Sequence, residues 1–328
     1  MYHPIIFLLV LSAVLAVQLA ENQEYVSLTV PFSTHGLHIP RLGLGTAGLG
    51  TDNEYVTKTA LSFGVRLIDT AQAPEWYDER GVGDGIRSFL DANEGFDSNS
   101  ITVLTKIHPR SFEEDKMARS IIDSKMAIYG NADAVIDIVL LHSPFCWAGH
   151  CSKEEESVSW EVGWKNLERM MTSGHMLAIG VSNFDFNLLT HLHHISDTKI
   201  SVIQNWMDPF HQDTIVRKYA ADHGIVYMAY SSFGTQWGGK YPDKNPVFTN
   251  TILLQIAEKH ETTVAAVVLS WLLQSDVVAI PRASSEEHIS QNASPIENGI
   301  SENALRVFLE KEDMEAIRSL DGSLGTPW

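Results

Sequence analysis

Four side chains at or just beyond the ends of short apolar runs have the types needed for proton chemistry. Asp69 ends RLID, Lys106 ends VLTK, His142 ends VLLH, and Tyr77 lies in the loop after Asp69. A lysine inside the otherwise apolar ITVLTKI is not a solvated charge. A buried ammonium needs a carboxylate, and Asp69 can be its partner. Each residue alone also has a structural reading: Asp69 as a helix N-cap, His142 as a hydrogen-bonded buried imidazole, Tyr77 as a loop aromatic. Their combined meaning depends on whether the chain brings these run ends to one place.

The elements that would do so repeat along the chain. Eight short, β-branched runs follow one another from residue 41: RLGLGT, VRLIDTA, ITVLTKI, AVIDIVLLH, LAIGVSN, ISVIQN, IVYMAYS and VVAIPR. Segments with helical spacing intervene, at Ser111 to Tyr129, Glu155 to Ser173, Thr214 to His223 and Thr263 to Gln274. Strands alternating with helices require a parallel sheet, and eight such units close into a (β/α)8 TIM barrel, an α/β fold. In that fold the site forms at the C-terminal strand ends, where these four residues stand. Ahead of the repeats, VSLTVPFSTHGLHIP reads as a β-hairpin turning at Gly36, placed to plug one barrel end. No linker or low-complexity tract interrupts the rest, so residues 25–328 are expected to form a single domain.

RLGLGTAGLG offers a competing architecture, because Gly43, Gly45 and Gly48 spell G-x-G-x-x-G and an acidic residue, Asp69, follows about 20 positions on, as in a dinucleotide-binding turn. A doubly wound domain needs no eight-fold repetition, so these glycines are assigned to the first barrel loop. There they would let a ligand approach the backbone closely.

The chain's 328 residues, with 44% hydrophobic and 20% charged, suffice for a large core, and the net charge of −18 argues against a nucleic-acid partner. Residues 1–20 run apolar and uncharged from Ile5 to Val17, the length of a signal-peptide core. They predict entry into the secretory pathway, to the endoplasmic reticulum lumen or beyond; an uncleaved signal anchor, the only route to a membrane, and a leaderless cytoplasmic form stay open. Cys146 and Cys151 in FCWAGHC are either free loop thiols or one lumenal disulfide. With His150 they make too few ligands for zinc, and no metal site is expected.

The chain resembles the aldo-keto reductase family from about Val26 to Leu320. GVRLIDTA resembles the family's catalytic-Asp segment, VLTKIHP its Lys segment and VLLHSP its His segment, while GWKNLERMMTSGHMLAIGVSNF is similar to the stretch leading to its amide-binding Ser-Asn pair. VIQN, MAYSSFG and IPRASSEEHISQN resemble its cofactor-side segments. The resemblance implies a catalytic tetrad of Asp69, Tyr77, Lys106 and His142. It implies a cofactor held by Gly45, Thr46, Ser182, Asn183, Gln204, Tyr230 and Ser231, with Arg282, Ser284, His288 and Asn292 at its adenosine end. The activity it implies is reduction of an aldehyde or ketone by NADPH, NADH being possible, with Tyr77 as general acid. Lys106 would lower the phenol's pKa, since a cation about 4 Å away at an effective dielectric of 20 is worth about 4 kcal/mol. The partner is then a small-molecule carbonyl substrate, and the chain a monomer.

Three departures stand out. TAQAPEW is longer than the family's spacing, and counting back from Gly81-Val82-Gly83 puts Trp76 on the acid's position; Tyr77 is assigned because only it carries a usable proton. The family's Lys-Ser pair is here Arg282-Ala283, and its later Arg is His288, which retains one permanent cation for a 2′-phosphate. Asn292-Ala293-Ser294 is an N-glycosylation sequon that conflicts with an adenine contact. The irregular tyrosine loop also suits a catalytically weak, nicotinamide-binding sensor or interaction subunit, whereas a metal-dependent hydrolase lacks ligands beyond His142 and Asp69. Substrate choice falls to the loops at Trp147 to Glu156 and Gly234 to Asn250 and to the tail, with Trp147, Trp237 and Tyr241 as candidate entrance aromatics.

Overall fold

The computed structural model describes residues 29–31, 38–293 and 307–327; the leader, the expected Gly36 turn and Ser294 of the sequon lie outside them. A short antiparallel pair, β1 (Thr29–Pro31) with β2 (His38–Pro40), precedes eight parallel strands. These are β3 (Leu44–Gly45), β4 (Leu67–Asp69), β5 (Thr102–Ile107), β6 (Ile136–Leu141), β7 (Met176–Ser182), β8 (Val202–Trp206), β9 (Val226–Tyr230) and β10 (Val278–Ala279). Each pairs with its sequence neighbour. The sheet closes through a parallel bridge between Leu42 and Ala279, where the Gly43 N–H donates to Ala279 O at 2.8 Å and the Ala279 N–H to Arg41 O at 2.8 Å. The fold is a (β/α)8 barrel, and each of the eight predicted runs supplies one strand.

The connecting helices include α1 (Asn53–Ser62), α2 (Glu79–Asp91), α3 (Glu114–Tyr129), α4 (Trp160–Thr172), α5 (Phe186–Ile195), α6 (Thr214–Asp222), α7 (Thr251–Lys259), α8 (Val264–Gln274) and α9 (Glu286–Ala293), with α10 (Lys311–Arg318) near the end. Expected and observed helices differ mainly at their starts. Ser111 belongs to a 3-10 turn led by Pro109, and Glu155 to a short separate turn capped by Ser152, so α3 and α4 begin later than the hydrophobic spacing suggests.

Strand geometry explains how the barrel presents its site. Successive side chains point to opposite faces, so every second residue enters the barrel. Leu67, Leu104, Ile138, Leu140, Ala178, Val202, Met228 and Val278 form this inward cluster, and Ile39 of the hairpin packs into it as a plug. Two residues further on, or four for β7, the same inward register delivers Asp69, Lys106, His142, Ser182, Gln204 and Tyr230. A second layer packs between strands and helices, with the buried Trp160, Trp164 and Trp237 as large members.

The glycine fingerprint belongs to the closing seam. A Cβ on Gly43 would stand 2.8 Å from Leu67 O, and one on Gly45 2.7 Å from Ile280 O. Gly43→Ala is expected to cost about 1–3 kcal/mol by overpacking against backbone that cannot turn aside. Urea unfolding of the variant measures this, and unchanged stability would show that the seam yields.

Candidate active site

At the floor of the cleft Lys106, 1% exposed, directs its ammonium at both oxygens of Asp69, 2.7 Å from Oδ1 and 2.8 Å from Oδ2, and at Thr70 O at 2.9 Å. Three N–H donors thus meet three acceptors. Gln204 Nε2 donates to Asp69 Oδ1 at 2.7 Å, and both the hydroxyl and the N–H of Thr46 bond Asp69 O. Burial pushes the Asp69 carboxyl up and the Lys106 ammonium down, and each is held charged chiefly by the other.

Tyr77, half-buried, lies over this pair with its ring centroid 5.0 Å from Lys106 Nζ and 5.7 Å from the His142 ring. Trp76 points elsewhere, meeting Trp147 at 5.4 Å and His150 at 4.8 Å. Of the two registers, therefore, Tyr77 adjoins the lysine and the histidine. The expected lowering of its pKa is not found: burial first, and Asp69 second, push the phenol upward. Lys106 spends its three hydrogens on Asp69 and Thr70, and with burial and the Asp69 charge both favouring the neutral phenol, Tyr77 keeps its proton at neutral pH.

His142 is 7% exposed, and burial together with Lys106 holds its pKa well below the ordinary value, so the imidazole is neutral. Beside it, His108 is fully buried and accepts the Arg110 N–H on Nδ1 at 3.1 Å; burial lowers its pKa to about 4. Trp147 packs on both rings, at 4.9 Å from His142 and 5.2 Å from His108.

The cleft above these groups has a volume of about 620 Å³. Gly45, Ser182, Asn183, Gln204, Tyr230, Ser231 and Arg282 line it. Asn183 is braced rather than free: Nδ2 donates to His142 O and Ser182 Oγ, and Oδ1 accepts the Tyr230 hydroxyl at 2.6 Å. It holds φ +63, and Ser231 holds φ +55, left-handed conformations that sharpen the turns after β7 and β9. Thr46 is buried, is not among the lining residues, and uses its hydroxyl to anchor Asp69 O at the end of β4. Ser284 and His288 are exposed, and with Asn292 they lie outside the lining, on the β10 to α9 loop and α9.

Cys146 and Cys151 form a disulfide, which decides between the two states open in the sequence. Among the described residues no group of three His, Cys, Asp or Glu gathers as a metal-ligand set, nor is any helix long and apolar enough to cross a membrane. Sequence reasoning missed Gln236, Ala47 and Ile280 in the lining and His108 behind it. Only His108, a polar residue continuing ITVLTKI, left a readable signal. Trp237, a candidate entrance aromatic, is instead fully buried, its indole donating to Asp208 at 2.8 Å.

A model described as the Aldo/keto reductase family matches residues 41–320. The chain belongs to the aldo/keto reductase family. Relatives of this family include a morphine 6-dehydrogenase of Pseudomonas putida, 32% identical over 282 residues (82% of this chain, 86% of that one). An NAD(P)H-dependent D-xylose reductase of Candida tenuis is 29% identical over 316 residues, covering 88% and 92%. Among solved structures, an aldo-keto reductase of Bombyx mori in complex with NADP superposes with a TM-score of 0.77 at 24% identity, covering 89% of this chain and 92% of that one. An aldo/keto reductase of Brucella melitensis gives 0.72 at 25%, covering 90% and 100%.

Removing one member of a buried ion pair costs about 3–5 kcal/mol because its partner is left charged and unpaired. Asp69→Asn and Lys106→Met should each destabilise this reductase-family barrel on that scale, and the double variant by less than their sum. Urea unfolding of the three variants checks this; strict additivity would mean that the two charges do not support each other.

Proposed function

We propose that the chain reduces an aldehyde or ketone to an alcohol with NADPH. The observation that carries the reading is the meeting of Tyr77, His142 and the Asp69–Lys106 pair in one cleft with Ser182, Gln204 and Tyr230. The polar groups suit a nicotinamide carboxamide. Gln204 spends Nε2 on Asp69 and Met228 Sδ, which leaves Oε1 as an acceptor, and Ser182 Oγ accepts from Asn183 while keeping its own proton to donate. The Tyr230 ring, braced through its hydroxyl, offers a flat face. When bound, the dihydronicotinamide supplies the hydride.

The chain's own residues handle the oxygen. As hydride reaches the carbonyl carbon, alkoxide charge develops on its oxygen and must be met by a positioned acid. Neutral His142 donates a hydrogen bond that orients the carbonyl. Tyr77, protonated at neutral pH, transfers its proton to that oxygen, and the phenolate left behind is stabilised by the Lys106 ammonium beneath the ring. Asp69 keeps that ammonium charged and in place.

Tyr77→Phe should lower carbonyl reduction by about 10²–10⁴-fold, the usual contribution of general acid catalysis, while NADPH affinity stays unchanged. Trp76→Phe should retain turnover. Steady-state rates with an aromatic aldehyde decide it; wild-type turnover in Tyr77→Phe would remove the acid role.

Arg282 reaches the cleft mouth, where Nη1 donates to Ala47 O at 3.3 Å, and it is the fixed cation available for a 2′-phosphate. NADPH should therefore bind more tightly than NADH, and Arg282→Ala should erase the difference. Fluorescence titration with both cofactors measures this, and equal wild-type affinities would remove the phosphate role.

A further inference from the structure

The bridge between Cys146 and Cys151 closes a small loop over one edge of the cleft, and the residues inside it are not inert. Trp147, Ala148, Gly149 and His150 make a tight turn, closed by the His150 N–H donating to Trp147 O at 3.0 Å, with Gly149 at φ +81 in its third position. The turn sends Trp147 and His150 toward the same neighbour, since their rings lie 5.4 and 4.8 Å from Trp76. Trp147 also stands edge-on to His142 at 4.9 Å and lines the cleft. Beyond the bridge, Ser152 begins a capped turn whose Glu155 is tied to Lys116 at 3.2 Å, so the C-terminal half of the bridge is anchored to the barrel. The bridge passes that anchoring to the residue before Trp147.

We propose that the Cys146–Cys151 disulfide is a substrate-positioning element, holding Trp147 as the wall on which a planar, aromatic carbonyl compound stacks beside His142. The geometry separates this wall from the cofactor-side groups. Trp147 and Trp76 come from loops after β6 and β4, whereas Ser182, Gln204, Tyr230 and Arg282 come from β7 to β10 and the loop that follows it. Loss of the bridge leaves Trp147 with its ring contacts and one turn hydrogen bond. An aromatic substrate then pays the cost of ordering the indole, while a small aliphatic one does not. This inference rests on the carbonyl-reductase reading and names the substrate class of that same site.

The test compares benzaldehyde with propanal on the full chain, using wild type, Cys146→Ser/Cys151→Ser, and wild type reduced with a phosphine, which becomes its oxide as the two thiols form. Stacking is worth about 0.5–1.5 kcal/mol, so losing the bridge should raise KM for benzaldehyde by about five-fold. Propanal KM, kcat for both aldehydes and the NADPH Kd should not move. Trp147→Ala should reproduce the loss, Trp147→Phe should largely rescue it, and removing the bridge from Trp147→Ala should add nothing. Should the serine variant fail to fold, the phosphine-reduced wild type supplies the same comparison. An unchanged benzaldehyde-to-propanal KM ratio, whatever happens to the melting temperature, overturns the proposal. If wild type reduces neither aldehyde, the reductase reading fails by itself. Benzaldehyde quenching of tryptophan fluorescence then decides the positioning role: weaker binding without the bridge upholds it, and equal binding overturns it.

Discussion

A lysine ammonium buried at the floor of a barrel is the constraint around which this molecule is arranged. Desolvating such a charge is costly unless every donor finds an acceptor, and Lys106 finds three, two on Asp69 and one on Thr70. Asp69 must then be held in turn, by Gln204 from across the barrel and by Thr46, which fixes the backbone carbonyl. Those supports come from β8 and from the end of β3, so the pair is well placed only when the barrel is closed. Tyr77 and His142 derive their positions and protonation states from proximity to this pair and from burial.

The tyrosine loop illustrates how an irregular connection can still deliver a side chain. Its extra length is taken up by Glu75 and Trp76, which turn away from the Asp69–Lys106 pair toward the cleft edge. Glu75 pairs with Arg110 at 2.7 Å, and Trp76 enters the ring cluster of Trp147 and His150. The disulfide loop after β6 and the long loop after β4 therefore support each other across the cleft edge. That contact joins positions far apart in sequence.

The seam between the first and last strands links scaffold and site. Small residues are needed at Gly43 and Gly45 because carbonyls of Leu67 and Ile280 occupy the space a side chain would take. Gly45 and, just beyond it, Ala47 also line the cleft. A pattern that spells a phosphate-binding turn is in this chain a packing requirement of barrel closure.

Much was legible without coordinates. Eight apolar runs alternating with helical spacing point to a parallel sheet covered on both faces, and their eight-fold repetition to its closure as a barrel. The two-residue period along each run then determines that Asp69, Lys106, Ser182 and Gln204 face inward. Tertiary structure alone decided the rest. Whether Trp76 or Tyr77 meets the lysine depends on how an irregular loop packs, and no periodicity governs that. The phenol's pKa rises rather than falls because the loop buries it and sets it beside the Asp69 charge, a matter of distances of a few ångströms. The placement of Gln236 beside the cleft and of Trp147 against His142 and His108 follows from loops and ring contacts between segments distant in sequence, whose energies are set by three-dimensional proximity.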